Sequence, residues 1–196
     1  MLYKIAHIIR DKFSWLWNII EWLNGVLFAL RYGKKLKIFS FTSVPEGYEV
    51  IPICAVKTER LVEFFARQPE EAFTYFKPHG FDTKSIKRLQ RNKAFLAYVI
   101  MQDQNVVGYV FLRCFFNGKC FRGKMVDYQH RSKGLGKILG TIANKVAYSI
   151  GLKMFATVSP ENMASLESTK AVNDINIIKQ LPNGDYYIEE LPKKSE

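Results

Sequence analysis

Cysteine and histidine are scarce in this sequence of 196 residues, which contains three of each. The cysteines are Cys54, Cys114 and Cys120. Three scattered cysteines are too few for the disulfide framework of a small secreted protein, and the sequence contains no Cys-x-x-Cys pair. The histidines lie far apart along the chain, which disfavours a zinc site. We therefore expect reduced cysteines, no metal ion and a cytoplasmic protein.

Two of the cysteines flank a predicted turn. Asn117-Gly118 is a strong signal for a tight turn between two antiparallel strands. If this turn has two residues, Phe115 faces Cys120 across the hairpin. Cys114 is then not directly opposite Cys120, and we expect no disulfide between them.

Acidic residues are few relative to basic ones. The chain has 29 Lys and Arg against 18 Asp and Glu, which gives a net charge of +11. Such a chain is expected to meet an anionic partner, which can be a nucleic acid, a lipid surface or a phosphate-bearing small molecule. The sequence contains no recognition helix, zinc-ligand spacing or RNA-binding aromatic motif, so nucleic acid is not the expected partner.

The composition and length indicate one folded domain with an appendage. Hydrophobic residues make up 48% of the chain and aromatic residues 14%, which excludes wholesale disorder. A chain of 196 residues suits one domain better than two. We assign residues 1–44 to an N-terminal amphipathic helical extension and residues 45–196 to the domain.

The extension is predicted to contain one long helix over residues 3–32, which include no proline. Its polar positions recur at spacings of three and four and form a narrow stripe. They are Asp11, Ser14, Asn18, Glu21 and Gly25. The remaining surface is apolar and wider than a surface helix needs. It includes three tryptophans, and a basic segment from Arg31 to Lys37 follows it.

Several roles are open for this helix. A membrane span is not favoured, because Glu21 and two asparagines interrupt an apolar run shorter than the roughly 20 residues required. A signal peptide is not favoured either, because no small-residue cleavage site follows. The tryptophans and the basic flank suit peripheral contact with a membrane. Docking on the domain, or a homodimer through residues 3–32, accounts for the apolar surface equally well.

The domain is predicted to be α/β (α+β), with a mixed, mostly antiparallel sheet of about six to seven strands and helices on both faces. Alternating and β-branched runs predict the strands. These are Tyr48–Ile53, Ala94–Met101, Val106–Phe116, Cys120–Val126, Lys153–Val158, Ile175–Leu181 and Asp185–Leu191. Apolar residues at helical spacing predict helices over Thr58–Phe76, after Asp82, over Leu135–Ile150 and from Asn162 to Val172. The strands on either side of the Leu135–Ile150 helix should be parallel.

The segment between the Cys120–Val126 strand and the following helix is the most informative one. In such a loop the backbone N–H groups and the helix dipole converge on one point, and glycines let an anion approach the main chain. Gly134 and Gly136 lie among Arg131, Lys133 and Lys137. The Walker phosphate loop is excluded because Ile138 follows Lys137, and the dinucleotide fingerprint lacks its third glycine.

Arg131-x-x-Gly134-x-Gly136 resembles the Arg/Gln-x-x-Gly-x-Gly/Ala signature of the GNAT superfamily of acyl-CoA-dependent N-acyltransferases. Val126 lies five residues before Arg131, where that superfamily usually has a valine. Asn162-x-x-Ser165 is similar to the motif after its fifth strand, and the final hairpin matches its last two strands. The resemblance covers about residues 46–191.

The resemblance implies a GNAT-like fold that binds acetyl-CoA, or another acyl-CoA, as co-substrate. It implies transfer of the acyl group to a primary amine by direct attack in a ternary complex. The implied binding residues for CoA are Met125, Val126, Arg131, Ser132, Lys133, Gly134, Leu135, Gly136, Lys137, Asn162 and Ser165. From the sequence, Asn162 serves equally well as a helix N-cap. Arg122 and Lys124 are further candidates for binding the phosphates.

The catalytic groups do not follow from the resemblance. Many members have a tyrosine acid seven residues after the asparagine, and this position is Thr169 here. The nearby candidates for a proton acceptor are Asp127, Tyr128 and His130, while Ser165 would lie near the sulfur. Two alternatives remain: a catalytically degenerate domain that binds CoA, and a membrane-peripheral binding or scaffold protein. A position at the inner face of a membrane is compatible with each of these functions.

Overall fold

The computed structural model of the protein describes residues 14–36, 41 and 44–193, and the part of the predicted 3–32 helix before residue 14 lies outside them. The helices are α1 (Ser14–Tyr32), α2 (Thr58–Ala66), α3 (Thr83–Arg91), α4 (Leu135–Ser149) and α5 (Met163–Lys170). The strands are β1 (Glu49–Pro52), β2 (Phe95–Gln102), β3 (Asn105–Cys114), β4 (Lys119–Val126), β5 (Lys153–Val158), β6 (Asn173–Gln180) and β7 (Tyr186–Pro192).

The seven strands form one mixed sheet in the order β1-β2-β3-β4-β5-β7-β6. Five of the neighbouring pairs are antiparallel, and β4 and β5 are parallel. The helix α4 joins these two strands as a crossover connection, which requires them to be parallel. The predicted mixed sheet and its parallel pair are confirmed.

The parallel pair β4–β5 is short. Its register contains three residue pairs, from Lys119↔Lys153 to Phe121↔Phe155. From Arg122 to Val126 the strand β4 has no residue paired with β5, although it remains paired with β3 as far as Val126. The two strands therefore diverge toward their carboxyl ends, and we call this opening the splay.

Helices cover both faces of the sheet. On one face, α4 contributes Leu139, Ile142 and Val146 to a core that also contains Phe28 and Tyr32 of α1. On the other face, α2 and α3 cover a core rich in aromatic residues. This arrangement leaves α4 and α5 on one side of the splay and the segment after α2 on the other.

The helix α1 packs on the domain through the side that carries the buried Phe28 and Tyr32, and polar residues near this side form hydrogen bonds. Asn24 donates a hydrogen bond from Nδ2 to the carbonyl of Cys114 (2.9 Å) and accepts one at Oδ1 from the Phe116 amide (3.1 Å). Asn18 accepts a hydrogen bond from Arg88 of α3 (3.1 Å). The residues on the opposite side are apolar and exposed. Of the polar stripe predicted from the sequence, Glu21 is half-buried and Gly25 is buried, so this part of the stripe points toward the protein instead of toward solvent.

Two local predictions are wrong. The helix predicted over Thr58–Phe76 ends at Ala66, because Pro69 cannot continue it, and a 3₁₀ turn over Glu70–Phe73 follows. Cys114 and Cys120 do lie directly opposite each other, because the Phe115 amide bonds to the carbonyl of Lys119 and leaves a loop of three residues, 116–118, between them. Both are buried free thiols.

Candidate acyl-CoA groove

A groove of about 560 Å³ runs through the splay to the amino end of α4. Its lining includes Met125, Val126, Arg131, Ser132, Gly134, Leu135, Gly136, Lys137, Asn162 and Ser165. The structure thus brings together every predicted CoA-binding residue except Lys133. His130 and Lys124 also line the groove, as do Tyr75 and Phe76 from the segment after α2.

The loop between β4 and α4 has the backbone that an anion site needs. Ser132 and Gly134 adopt positive φ values of 61° and 75°, and Gly134 is the N-cap of α4. A β-carbon at Gly136 would lie 3.3 Å from Cβ of Ser168, so this glycine permits α4 and α5 to approach closely. The first N–H groups of α4 have no carbonyl partner within the helix, and they carry its positive partial charge.

The carboxylate of Asp127 holds this loop in place. It is 1% exposed, and its oxygens accept hydrogen bonds from Arg67 Nε (2.7 Å), Gln68 Nε2 (3.1 Å) and the Gln129 amide (3.0 Å). Burial raises the pKa of Asp127, but these hydrogen bonds outweigh that effect and hold the pKa below its ordinary value. Asp127 is one of the predicted proton acceptors, and its carboxylate already accepts these hydrogen bonds from the protein.

His130 and Tyr128 differ in their access to the groove. Nδ1 of His130 lies 3.4 Å from Oδ1 of Asp127, and the ring lines the groove. Tyr128 is exposed and does not line the groove, and its hydroxyl accepts a hydrogen bond from Gln129 Nε2 (2.8 Å). Asp127 and His130 form a pair in which the carboxylate orients the imidazole. A pair of this kind can accept a proton from a bound group.

Lys124 carries a positive charge into the splay. Its Nζ donates a hydrogen bond to the carbonyl of Gly136 (3.2 Å) and borders the groove. Burial, assisted by the charge of Arg122 and opposed by that of Glu190, lowers the pKa of Lys124 to about 7. The amino group of Lys124 can therefore gain or lose a proton near neutral pH.

The amino end of α5 forms the opposite wall. Asn162 is its N-cap, since Oδ1 accepts a hydrogen bond from the Ser165 amide (3.1 Å), and the same side chain lines the groove. Thr169 is buried beneath this wall, where its hydroxyl accepts a hydrogen bond from Arg122 (3.1 Å) and donates one to the carbonyl of Ser165 (2.7 Å). The position at which many GNAT members have a tyrosine is therefore not part of the groove.

Sequence reasoning missed Tyr75 and Glu161. The Tyr75 hydroxyl donates a hydrogen bond to Oε2 of Glu161 (3.2 Å), which joins the segment after α2 to the β5–α5 loop. Tyr75 and Asn162 line both the groove and a second cavity of about 790 Å³ on its far side. No sequence motif marks the two residues of this hydrogen bond, because they are 86 positions apart.

The described part of the chain holds neither a metal-binding cluster nor a helix able to cross a bilayer. Among residues 14–36, 41 and 44–193, no three His, Cys, Asp or Glu side chains converge on a point that could hold a metal ion. Over the same residues, no helix has both the length and the apolar character needed to cross a bilayer.

Comparisons with known proteins identify the fold. No family model matches the sequence, and no curated protein matches it. Among solved structures, the GNAT domain of S. lividans PAT has a TM-score of 0.62 at 18% identity, covering 72% of this chain and 89% of that one. Campylobacter jejuni N-acetyltransferase PseH has a TM-score of 0.55 at 16% identity, covering 76% and 99%.

A third structure was solved with a ligand. The protein yncA of Salmonella typhimurium, in a structure with its cofactor acetyl-CoA, has a TM-score of 0.56 at 19% identity. It covers 77% of this chain and 96% of its own. Together with the splayed β4–β5 pair, these likenesses show that the chain has the GNAT fold, as its loop motif predicted.

Proposed function

We propose that this protein transfers an acyl group, most simply acetyl, from acyl-CoA to a primary amine. The observation that carries the proposal is the groove, in which the glycine-containing loop, the free end of β4 and the N-cap of α5 meet. The sequence predicted each of these three features from a different segment. Structures with the same fold include named N-acetyltransferases and one solved with acetyl-CoA.

The residues of the groove fit the chemistry of CoA. Its pyrophosphate needs N–H donors and positive charge, and the first turn of α4 offers its N–H groups beside Arg131 and Lys137. The pantetheine arm needs backbone partners and an apolar wall, which Met125 and Val126 of β4 offer on the side left unpaired by β5. Acyl-CoA supplies an activated thioester, and the protein positions it.

In the proposed reaction the amine nitrogen forms the new amide bond to the acyl carbon while the carbon–sulfur bond breaks. A backbone N–H near Met125 or Val126 donates a hydrogen bond to the carbonyl oxygen as negative charge develops there. His130, oriented by Asp127, accepts the proton that the amine loses, directly or through water. CoA leaves as the thiolate, which then takes up a proton from solvent.

The acceptor is proposed to enter through the second cavity. That cavity meets the groove at Tyr75 and Asn162, so a molecule within it would reach the end of the pantetheine path. Glu161 and Asp185 border the cavity and can attract a positively charged amine.

One observation favours binding without turnover as the second candidate. Thr169 is buried and engaged with Arg122, so the tyrosine acid of many GNAT members has no equivalent at this position. A protein of this kind would bind acyl-CoA through the same groove and release no thiol.

Calorimetry with acetyl-CoA and a thiol-release assay with a panel of amines separate the two candidates. Ser165→Phe fills the groove from α5 and is expected to abolish binding, because Ser165 lines it. Glu167→Phe, on the exposed side of the same helix, is the matched control and should bind normally. Binding with thiol release supports the transferase, and binding without release supports the second candidate. Absence of binding to the unmodified protein contradicts both.

A further inference from the structure

The exposed side of α1 is apolar along its length. The large exposed residues on it are Ile19, Ile20, Trp22, Leu23, Leu27 and Leu30. Trp22 is 69% exposed and Leu30 is 77% exposed. At 100° per residue, Ile19, Leu23, Leu27 and Leu30 fall within one quarter of the helix circumference, opposite the buried Phe28 and Tyr32. We call these six exposed residues the apolar face.

An apolar face of this kind is unusual for a helix that is already docked. Most surface helices bury their apolar side and expose the polar one. Here Phe28 and Tyr32 are buried against the domain and the hydrogen bonds of Asn18 and Asn24 support that side, while the apolar face is left outward. A contiguous apolar patch on a protein surface marks an interaction site.

Positive charge surrounds the apolar face. Arg31, Lys34 and Lys35 are exposed at the carboxyl end of α1. At the other end, Arg88 of α3 lies against Asn18. The rest of α3 exposes Lys84, Lys87 and Arg91. The one acidic residue of α1 is the half-buried Glu21.

We propose that the apolar face and its basic surroundings bind an anionic lipid surface. Trp22 and the aliphatic residues would insert to the boundary between headgroups and acyl chains, and Arg31, Lys34 and Lys35 would lie at the level of the phosphates. A second copy of the chain fits less well, because apposing two such faces brings both basic borders together. Charge complementarity therefore favours an anionic lipid surface over a second copy of the chain.

This surface is separate from the groove. The helix α1 bonds to Cys114 and Phe116, next to the turn where β4 begins, whereas the groove opens where β4 ends. At 3.3 Å per residue, β4 separates the two by about 23 Å. Lipid binding leaves the groove open to solvent, and its test does not depend on the proposed acyl transfer.

The test uses the full chain with vesicles of phosphatidylcholine alone or mixed equally with phosphatidylglycerol. The three tryptophans of the chain are Trp15, Trp17 and Trp22, so tryptophan fluorescence, excited at a wavelength that tyrosine does not absorb, reports on this helix alone. We expect sedimentation and a blue shift of the emission with the anionic vesicles, weakened by high salt, and little of either with phosphatidylcholine.

Leu23→Gln with Leu30→Gln removes two residues of the apolar face and should weaken partitioning by at least about tenfold. Ile177→Gln with Ile178→Gln is the matched control, because these two isoleucines of β6 are also exposed (55% and 44%). It should leave partitioning unchanged. Lys34→Gln with Lys35→Gln should weaken binding to anionic vesicles by about 25-fold, at roughly fivefold for each charge.

Three results overturn the proposal. The first is that the protein sediments with neither kind of vesicle. The second is a dimer, detected by analytical ultracentrifugation, that Leu23→Gln with Leu30→Gln dissociates, since a second copy then covers the face. The third is a thermal midpoint that this variant lowers more than the control does, without any vesicle binding, since the chain itself then covers the face.

Discussion

Arg122 of β4 forms a buried ion pair with Glu190 of β7 across the intervening strand β5. Arg122 Nη2 lies 2.5 Å from Glu190 Oε1, and the side chains are 4% and 0% exposed. Asn173 Nδ2 donates a further hydrogen bond to Glu190 Oε2 (3.0 Å). Arg122 is the first residue of β4 beyond the β4–β5 register, so this ion pair lies where the splay begins.

Breaking this pair is expected to be costly. Glu190→Gln leaves the Arg122 guanidinium buried without its counter-charge, and we expect the free energy of unfolding to fall by about 3–5 kcal/mol. Arg122→Met with Glu190→Leu removes both charges and should recover most of that loss, because no unpaired charge remains. Urea unfolding of the two variants and the unmodified protein measures this. Equal losses in the single and double variants would contradict the prediction.

The proposed role of His130 predicts a loss of rate rather than of binding. His130→Gln should lower kcat by about 10²- to 10⁴-fold, the range for removal of a general base. Affinity for acetyl-CoA should change little, because the phosphate-binding amides and β4 remain in place. Tyr128→Phe is the control, since Tyr128 is exposed and outside the groove. Full activity of His130→Gln would assign the proton transfer to another group and leave the proposed reaction standing.

The position of Lys124 predicts proton uptake on binding. Its pKa of about 7 leaves the amine largely neutral above pH 7 in the free protein. An anionic ligand in the groove favours the charged form and raises this pKa, so binding at pH 7.5 should take up roughly half to three quarters of a proton. Affinity for acetyl-CoA should therefore decrease as the pH rises above 7.

Calorimetry in two buffers with different ionisation enthalpies measures this uptake. Lys124→Met should abolish it, whereas Lys170→Met, at an exposed position on α5, should not. Uptake that persists in Lys124→Met would show that another group in the protein or the ligand takes up the proton.

The surroundings of His79 lead us to predict that the stability of the protein depends on pH. Its Nε2 lies 3.0 Å from the Tyr109 hydroxyl and its Nδ1 lies 2.9 Å from the carbonyl of Gly80, within an aromatic cluster that includes Phe65 and Phe81. Burial lowers the pKa of His79 to about 4 from 6.5, although the hydrogen bond to Gly80 opposes the shift. The unfolded chain therefore binds more protons than the folded protein between pH 6.5 and 4.

The stability that the neutral, buried His79 contributes is complete above pH 6.5 and is lost as the pH falls toward 4. We expect the free energy of unfolding to decrease by roughly 2 kcal/mol from this group between pH 7 and pH 5. His79→Phe should flatten that part of the profile, measured as urea midpoints at the two pH values. A parallel profile for the variant would show that His79 does not cause the dependence.

Much of the fold was predictable because its signals are local. The two-residue connection at Asp103-Gln104, with positive φ at both residues, and the cap at Asp82 depend on residues within three positions of one another. The loop from Arg131 to Lys137 was identified because it is contiguous and follows a strand. The failures also have local causes. Pro69 ends α2 before the predicted position, and the loop at Asn117-Gly118 has three residues instead of the predicted two.

The sequence by itself determined the order in which strands and helices follow one another along the chain. It also determined the crossover that makes β4 and β5 parallel and the glycine-containing loop at the start of α4. Tertiary structure alone decided which side of α1 faces the protein, which carboxylate holds the loop and which residues line the splay. Arg122 and Glu190 are 68 positions apart, and Arg67 and Asp127 are 60 apart. No spacing rule links such pairs, because their contact depends on how the whole sheet brings distant strands together.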